Sequence, residues 1–130
     1  MRVSRGRESG PSEQRGPTFT GRVWADPVLA ARDQVGVNNV FFEPGARTYW
    51  HRHEAGQVLH VVAGAGWLQT RAGEGAPLTP GDTAHISAGE EHWHGARPDS
   101  YMTHLAISLG ANRWLDPVTD EDYAAALPGS

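Results

Sequence analysis

The chain has 130 residues and a formal net charge of −4, and it contains neither cysteine nor lysine. This length suffices for one domain with a hydrophobic core but not for a second catalytic lobe. The missing cysteines exclude disulfides, thiolate zinc sites and thiol nucleophiles, and the missing lysines exclude Schiff-base chemistry. Because the charge is negative and the arginines are scattered, we expect no nucleic acid partner. No signal-peptide h-region and no long apolar run occurs, which predicts a cytoplasmic protein without a membrane partner.

The first residues differ in composition from the rest of the chain. Residues 1–16 alternate Arg, Glu, Ser and Gly, and they carry too few apolar side chains to offset the entropy lost on ordering. We predict a flexible N-terminal arm over residues 1–17 and one folded domain over residues 18–130. Docking of the arm on a neighbouring subunit is the alternative to free movement.

From Thr18 onward, short apolar or alternating runs are separated by turns rich in glycine and proline. This pattern predicts an all-β barrel or sandwich. The predicted strands are Phe19 to Trp24, Val35 to Phe42, Val58 to Ala63, Gly66 to Arg71, Thr83 to Ser87, and Met102 to Leu109. A short C-terminal helix is predicted over Tyr123 to Leu127, because Thr119 and Asp122 form an approximate capping box before it.

Two His-x-His pairs define the candidate site. His51 and His53 form the first pair, and His92 and His94 form the second. In a strand, side chains at i and i+2 point to the same face, so each pair aims two imidazoles at one place. We interpret this place as a metal site. The alternative, in which the histidines only pack in or decorate strands, is weakened by the shared spacing of the two pairs.

The last predicted strand carries a third polar face. His104 and Ser108 alternate with apolar residues and share the face of Met102 and Ala106, so they can point into a barrel lumen. A buried imidazole there needs a partner, which is either a functional group or a backbone carbonyl. His60 lies three residues after Gln57, so in a strand their side chains point to opposite faces. If Gln57 faces the metal, His60 should point away from it.

These motifs resemble those of the cupin family. Gly45, the pair His51 and His53, then Gln57 and Gly64 resemble the first cupin motif, and the second is matched at Gly81, Asp82, Gly89 and His92. The resemblance implies a single-domain double-stranded β-helix, or jelly-roll barrel. Most cupins carry glutamate where Gln57 stands. Three imidazoles and an amide oxygen are all neutral, so a divalent cation would keep a charge of about +2 and should favour anions.

Within the cupins, residues from about Phe19 to Tyr123 resemble small bacterial proteins that include manganese-dependent hydroxynitrile lyases. The carrying segments are Phe41 to Thr48, Gly89 to Gly95, and Met102 to Ile107. The resemblance implies a metal bound by His51, His53, Gln57 and His92, catalytic roles near it for Thr48, His94 and His104, and a substrate pocket lined by Asn38, Val40 and Ser108. It also implies Mn²⁺, with Fe²⁺, Ni²⁺ or Zn²⁺ as alternatives. Those lyases carry glutamine where Ser108 stands, so the pocket should be more open.

Lyase chemistry at this site has a simple physical account. A bound cation acts as a Lewis acid on the cyanohydrin oxygen, and His94 or His104, with an ordinary pKa near ~6.5, accepts the hydroxyl proton. Thr48 orients one of these histidines, or is present only for its β-propensity. We expect Trp93 to pack between sheets, leave Trp50 and Trp67 unassigned, and expect a small cavity that tolerates aryl groups.

Three classes of function remain open for a small-molecule substrate or ligand. The first is a metal-dependent carbon-carbon lyase of the hydroxynitrile lyase type. The second is an iron dioxygenase, since three histidines can leave positions for substrate and O₂. The third is a cupin that binds a small ligand without catalysis. For all three we predict a homodimer or a larger homo-oligomer, because a small barrel exposes an apolar sheet face and sheet edges.

Overall fold

The alternating segments form two curled antiparallel sheets that pack face to face. The computed structural model describes residues 1–8 and 10–129. One sheet has six strands in the order β1-β3-β4-β12-β7-β10, and the other has seven, with β13-β6-β11-β5-β2 in line and β8 and β9 added beside β11. The prediction of an all-β jelly-roll barrel with a short C-terminal helix is therefore confirmed.

The strands of the six-stranded sheet are mostly long. Their bounds are β1 Glu13–Gln14, β3 Val23–Arg32, β4 Val35–Phe42, β7 Gln57–Gly64, β10 Thr83–Ile86 and β12 Met102–Leu109. Those of the other sheet are β2 Phe19–Thr20, β5 Arg47–Thr48, β6 His51–His53, β8 Gly66–Thr70, β9 Gly75–Leu78, β11 His92–Ala96 and β13 Asn112–Trp114. Helix α1 spans Asp120–Ala126.

The predicted strand bounds agree best with the observed ones where the alternation of apolar and polar residues is strong. The predicted Val35 to Phe42 and Met102 to Leu109 are β4 and β12, which pair along their whole length. The predicted strand from Phe19 is wrong in extent, because Gly21, with φ of +79°, breaks it into β2 and β3. Strand β9 was not predicted, because its Gly-Ala-Pro sequence has low β-propensity and pairing with β8 holds it extended.

The N-terminal arm lies along β3. Strand β1 pairs with β3, the amide of Glu8 donates to the carbonyl of Pro27 (2.8 Å), and the Arg2 guanidinium donates to the carbonyl of Ala30 (2.6 Å). These contacts cover an edge of the six-stranded sheet. Flexibility of the arm in solution, and the boundary near residue 17, stay predictions.

A tryptophan cluster lies outside the barrel, under the C-terminal segment. Trp93 is 1% exposed, and its ring lies 5.7 Å from that of Tyr123 in α1. The expectation that Trp93 packs between the sheets is therefore wrong: it points outward and the C-terminal segment covers it. Trp50 and Trp67 join the same cluster. Buried Arg47 fastens the segment, because its Nη2 donates to the carbonyl of Val118 at 2.8 Å.

The helix begins as the capping pattern indicates. Thr119 has extended backbone angles, and its Oγ1 accepts a hydrogen bond from the amide of Asp122 at 3.0 Å. Among residues 1–8 and 10–129, no helix has the length and apolar character needed to cross a membrane.

The outer face of the six-stranded sheet carries several apolar side chains, together with polar ones such as Asn39 and His60. Leu105 and Ile107 are half-buried there, and Val62, on the neighbouring strand, is 56% exposed. Phe41 stacks on Tyr101, with 5.6 Å between their ring centroids. Exposed apolar side chains on this face favour contact with a second subunit.

We expect a homodimer or a larger homo-oligomer at micromolar concentration, with this face in the contact. Val62→Arg should shift sedimentation toward the monomer, because the new charge would be desolvated in the interface. Ala88→Arg, on the exposed loop after β10, is the matched control and should leave the assembly unchanged. A wild-type protein that sediments only as a monomer contradicts the prediction.

Candidate metal centre and adjoining cavity

Three histidines from two neighbouring strands meet inside the barrel. His51 and His53 lie at the two ends of β6, and His92, on β11, is directly opposite His51. One ring nitrogen from each histidine lies within 4.8 Å of the others. The i, i+2 spacing puts the first pair on the inward face, and strand pairing brings in the third ring.

Backbone carbonyls set the tautomers of two of these rings. His51 Nδ1 lies 2.9 Å from the carbonyl oxygen of Tyr49, and His92 Nδ1 lies 2.8 Å from that of Glu90. A carbonyl can only accept, so each Nδ1 carries the proton and donates it. The Nε2 atoms are left as lone pairs directed at the shared centre, as in metal-binding histidines. Within residues 1–8 and 10–129, both buried ring nitrogens of His53 lack a hydrogen-bond partner.

Gln57 completes the cluster from the opposite sheet. Its Oε1 lies 2.9 Å from His92 Nε2, and its Nε2 donates to Ser108 Oγ at 3.0 Å. His92 Nε2 is unprotonated, so the inward amide oxygen of Gln57 faces a second hydrogen-bond acceptor. A cation at the centre would remove the repulsion between these two acceptors. With that cation bound, Ser108 accepts from the amide nitrogen and keeps the oxygen inward. The sequence analysis assigned Ser108 only to the substrate pocket, and did not anticipate this hydrogen bond.

The turn that delivers Gln57 requires glycine. Gly56 has φ of +97°, and a Cβ at this position would lie 2.7 Å from the carbonyl oxygen of Ile86. A side chain would therefore strain the backbone and push the strand that begins at Gln57 away from the histidines.

Burial keeps the three rings neutral. Desolvation, then the charge of His92, lowers the pKa of His53 to about 4. Desolvation also lowers the pKa of His51 well below its usual value, and lowers that of His92. At neutral pH the rings hold lone pairs rather than positive charge, which is the state that binds a metal.

A second pair of imidazoles lies beside the cluster. His104 Nε2 and His94 Nδ1 are 2.9 Å apart, and one shared proton joins them. His94 Nε2 and His104 Nδ1 are buried and have no partner among residues 1–8 and 10–129. Burial lowers the pKa of His104 to about 4 and that of His94 well below its usual value, so the expected ordinary pKa near ~6.5 is wrong for both. The cause is desolvation, which no local sequence pattern reveals.

Thr48 lies under this pair. Its Oγ1 accepts a hydrogen bond from the backbone amide of His94 at 3.3 Å, and Thr48 is almost fully buried. Its contact is with the backbone of His94 rather than with either imidazole. Its hydroxyl hydrogen therefore remains available to the cavity.

Apart from His92, the polar groups of the cluster and of the imidazole pair border one cavity of about 360 Å³. Asn38, Val40 and Ser108, for which a substrate-pocket role is predicted, are among the residues that border it, and Asn38 lies opposite Ala106 in the β4–β12 pairing. His60 and His85 are exposed outside the barrel. This volume suits a small molecule with one ring.

The aromatic lining differs from the expected one. Trp114 borders the cavity with its ring 4.7 Å from that of His51, and Phe19 lies 5.4 Å from Trp114. Neither residue was predicted for the site. The alternation of Asn112 with Trp114 after a glycine turn was an available signal, whereas the position of Phe19 depends on the long-range pairing of β2 with β5.

The donor set fits a divalent transition metal. It offers Nε2 of His51 and His92, a free ring nitrogen of His53, and the Gln57 amide oxygen, all buried and neutral. Mixed imidazole and oxygen donors suit several first-row metals. An ion at the centre would give one of the two unpaired His53 nitrogens a partner.

Comparison with known proteins identifies the family of this chain. The family model described as a cupin domain matches residues 38–108, and a (R)-mandelonitrile lyase of Granulicella tundricola is 49% identical over 117 residues, covering 84% of this chain and 89% of the relative. The chain belongs to the cupin family and is a homologue of that lyase.

Solved structures agree on the fold. A cupin-like protein from Thermotoga maritima is 36% identical, covers 100% of this chain and 98% of its own, and superimposes with a TM-score of 0.82. A polyketide cyclase from Streptomyces resistomycificus, with 18% identity, coverage of 90% and 89%, and a TM-score of 0.67, shares the fold alone.

The metal assignment is tested by removing His53. His53→Ala should lose bound metal while keeping the β-rich circular dichroism spectrum, because the apolar core does not depend on the ion. Metal analysis of protein purified without metal-affinity resin measures this, with exposed His85→Ala as the control. Full metal retention in His53→Ala contradicts the assignment.

Ser108→Ala tests the orientation of the Gln57 amide. Without the hydroxyl acceptor, the amide loses the preference for its oxygen-inward state, and metal affinity should fall by roughly 10-fold, as for other groups that orient a ligand. Titration of metal-free protein with Mn²⁺ measures the affinity, and Ser87→Ala, on the exposed turn after β10, is the control. Equal affinity in Ser108→Ala and wild type refutes the role.

Proposed function

We propose that this cupin is a metal-dependent hydroxynitrile lyase that cleaves and forms small cyanohydrins, with (R)-mandelonitrile as the first substrate to test. The observation that carries the proposal is the hydrogen-bonded pair His94 and His104, 2.9 Å apart, which borders the same cavity as His51 and His53 of the cluster. The lyase relative supports it. A cyanohydrin needs a proton acceptor near an electrophilic centre, and both elements are adjacent here.

The imidazole pair can hold its protons in two arrangements. When His94 Nδ1 donates to His104 Nε2, the lone pair on His94 Nε2 faces the cavity and serves as the base. When the shared proton sits on His104 Nε2, His94 carries a proton on Nε2 and serves as the acid. The low pKa values keep the pair neutral before the reaction, so it is ready to accept.

The proposed reaction then balances. His94 Nε2 takes the hydroxyl proton of the cyanohydrin, the carbonyl forms, and the carbon-carbon bond to the nitrile breaks with its electron pair on cyanide. The proton returns from His94 to cyanide, which leaves as hydrogen cyanide. His104 stabilises the imidazolium by accepting from His94 Nδ1, and Thr48 holds the backbone of His94 and offers its hydroxyl hydrogen to the cyanide.

We propose His51, His53, Gln57 and His92 as the metal ligands and Mn²⁺ as the metal, with Fe²⁺, Ni²⁺ or Zn²⁺ as alternatives. When bound, the cation supplies a Lewis acid that makes a nearby hydroxyl more acidic and stabilises negative charge. This assistance is needed, because burial holds the pKa of His94 well below its usual value, which makes it too weak a base for an unassisted alcohol. All four ligands are neutral, so none of them offsets the positive charge at the centre.

An iron dioxygenase is the second candidate. The three-histidine cluster favours it, because three imidazoles leave coordination positions for substrate and O₂. Gln57 argues against it, since a neutral amide does not stabilise a higher oxidation state as a carboxylate does. Dependence of turnover on oxygen separates the two candidates.

The lyase proposal is tested by mandelonitrile cleavage under nitrogen and under air. Equal rates are expected in the two atmospheres. His94→Ala and His104→Ala should each keep metal and lower kcat by about 10²-fold, the usual effect of a lost acid-base group. His60→Ala, on the outer face, is the control. No cleavage by metal-loaded wild type, or near-normal turnover in both site variants, contradicts the proposed mechanism and favours an oxygenase or a ligand-binding protein.

A further inference from the structure

Within residues 1–8 and 10–129, one permanently charged side chain borders the cavity. Among the described residues that border it, none is acidic, the histidines are neutral, and Arg15 is the single arginine. A divalent cation on neutral ligands would add positive charge to the same space. Carboxylates would normally balance the positive charge of such a cavity, and none of the described residues that border this one supplies a negative charge. The missing negative charge must come from solvent ions or from the ligand.

Arg15 is held at the mouth by backbone hydrogen bonds. Its amide donates to the carbonyl of Val23 at 2.7 Å, in the six-stranded sheet. Three residues further on, the segment reaches the other sheet, where the amide of Tyr49 donates to the carbonyl of Thr18 at 2.9 Å. We call residues 15–19 the strap. Because both sheets hold it, the strap keeps Arg15 at a defined place beside the cavity.

The guanidinium of Arg15 has no partner of its own. Within residues 1–8 and 10–129, ion pairs involve other arginines, such as Arg47 with Asp120 and Arg71 with Asp116, and none involves Arg15. Side-chain hydrogen bonds from Arg15 are likewise absent from this described part of the chain, although the residue is half-buried. A half-buried guanidinium without an anion at the entrance of a cavity without acids is suited to capture an anionic group of a ligand.

We propose that Arg15 is a specificity-determining residue that binds a carboxylate substituent of the substrate. The preferred substrates are then aromatic or small aliphatic carbonyl compounds, and their cyanohydrins, that carry a carboxylate away from the reacting carbon. Their reacting end lies at His94 and His104, and their ring packs near Phe19 and Trp114. The naming of this substrate class depends on the proposed lyase function, whereas anion binding by Arg15 does not.

The binding test uses metal-free protein, so that the carboxylate cannot gain affinity from the cation. Benzoate and benzamide, which are close in shape and differ in charge, are titrated by calorimetry into wild type, Arg15→Gln and Arg15→Lys. Benzoate affinity should fall about 5- to 10-fold in Arg15→Gln and less in Arg15→Lys, the range of a partly screened ion pair. Benzamide affinity should not change. Arg22→Gln, an equal loss of charge at an exposed site outside the cavity, is the matched control.

The kinetic test uses metal-loaded protein with mandelonitrile and 4-carboxymandelonitrile. Arg15→Gln should raise KM for the carboxylated substrate by a similar factor and leave its kcat, and both constants for mandelonitrile, unchanged. This pattern indicates a group that binds the substrate equally in the ground state and the transition state. A structural defect would lower kcat for both substrates.

The outcomes separate the two proposals. If benzoate binding depends on Arg15 but neither cyanohydrin is cleaved, the anion site stands and the lyase function fails. If mandelonitrile is cleaved but benzoate affinity is unchanged in Arg15→Gln, or falls equally in Arg22→Gln, the anion site is overturned and the lyase function stands. Failure of wild-type metal-free protein to bind benzoate more tightly than benzamide also overturns the anion site.

Discussion

The site depends on the pair of hydrogen bonds that fixes the histidine tautomers. By donating from Nδ1 to the carbonyls of Tyr49 and Glu90, His51 and His92 present unprotonated Nε2 atoms to one centre. Burial then prevents those lone pairs from taking up protons near neutral pH. The same low-dielectric surroundings make two facing acceptors costly when nothing lies between them. The backbone geometry thus presents lone-pair donors of the kind that divalent transition metals bind.

The choice of neutral ligands affects the whole cavity. A glutamate in place of Gln57 would cancel part of a cation's charge, and the cavity would then tolerate neutral or positive ligands. Among the described residues that border this cavity, Gln57 is neutral, none is acidic, and Arg15 contributes a positive charge. The proposed stabilisation of departing cyanide and the proposed recognition of a carboxylate both rest on this one electrostatic arrangement.

The contacts of Ser108 and of the outer tryptophans depend on which strand or segment lies next to them. Ser108 lies directly opposite Gln57 in the β7–β12 pairing, so its hydroxyl reaches an amide instead of standing only as an open pocket wall. Trp93 lies between two inward histidines and must therefore face outward, where the C-terminal segment, fastened by Arg47, covers it. In both cases the side chain's direction follows from strand alternation, and its partner follows from which element lies next to it.

The sequence by itself determined the family, the barrel class and the inward faces of the functional strands. Alternation has a period of two residues, so the histidine pairs on β6 and β11, and His104 with Ser108 on β12, could be assigned to one face each from local spacing. Only the tertiary structure decided that the strap and Trp114 close the cavity, that Ser108 holds Gln57, and that burial lowers the pKa of His104 to about 4. These properties arise between residues far apart in the chain. Desolvation and strand register depend on which residues pack across the barrel. The local sequence does not indicate which residues those are.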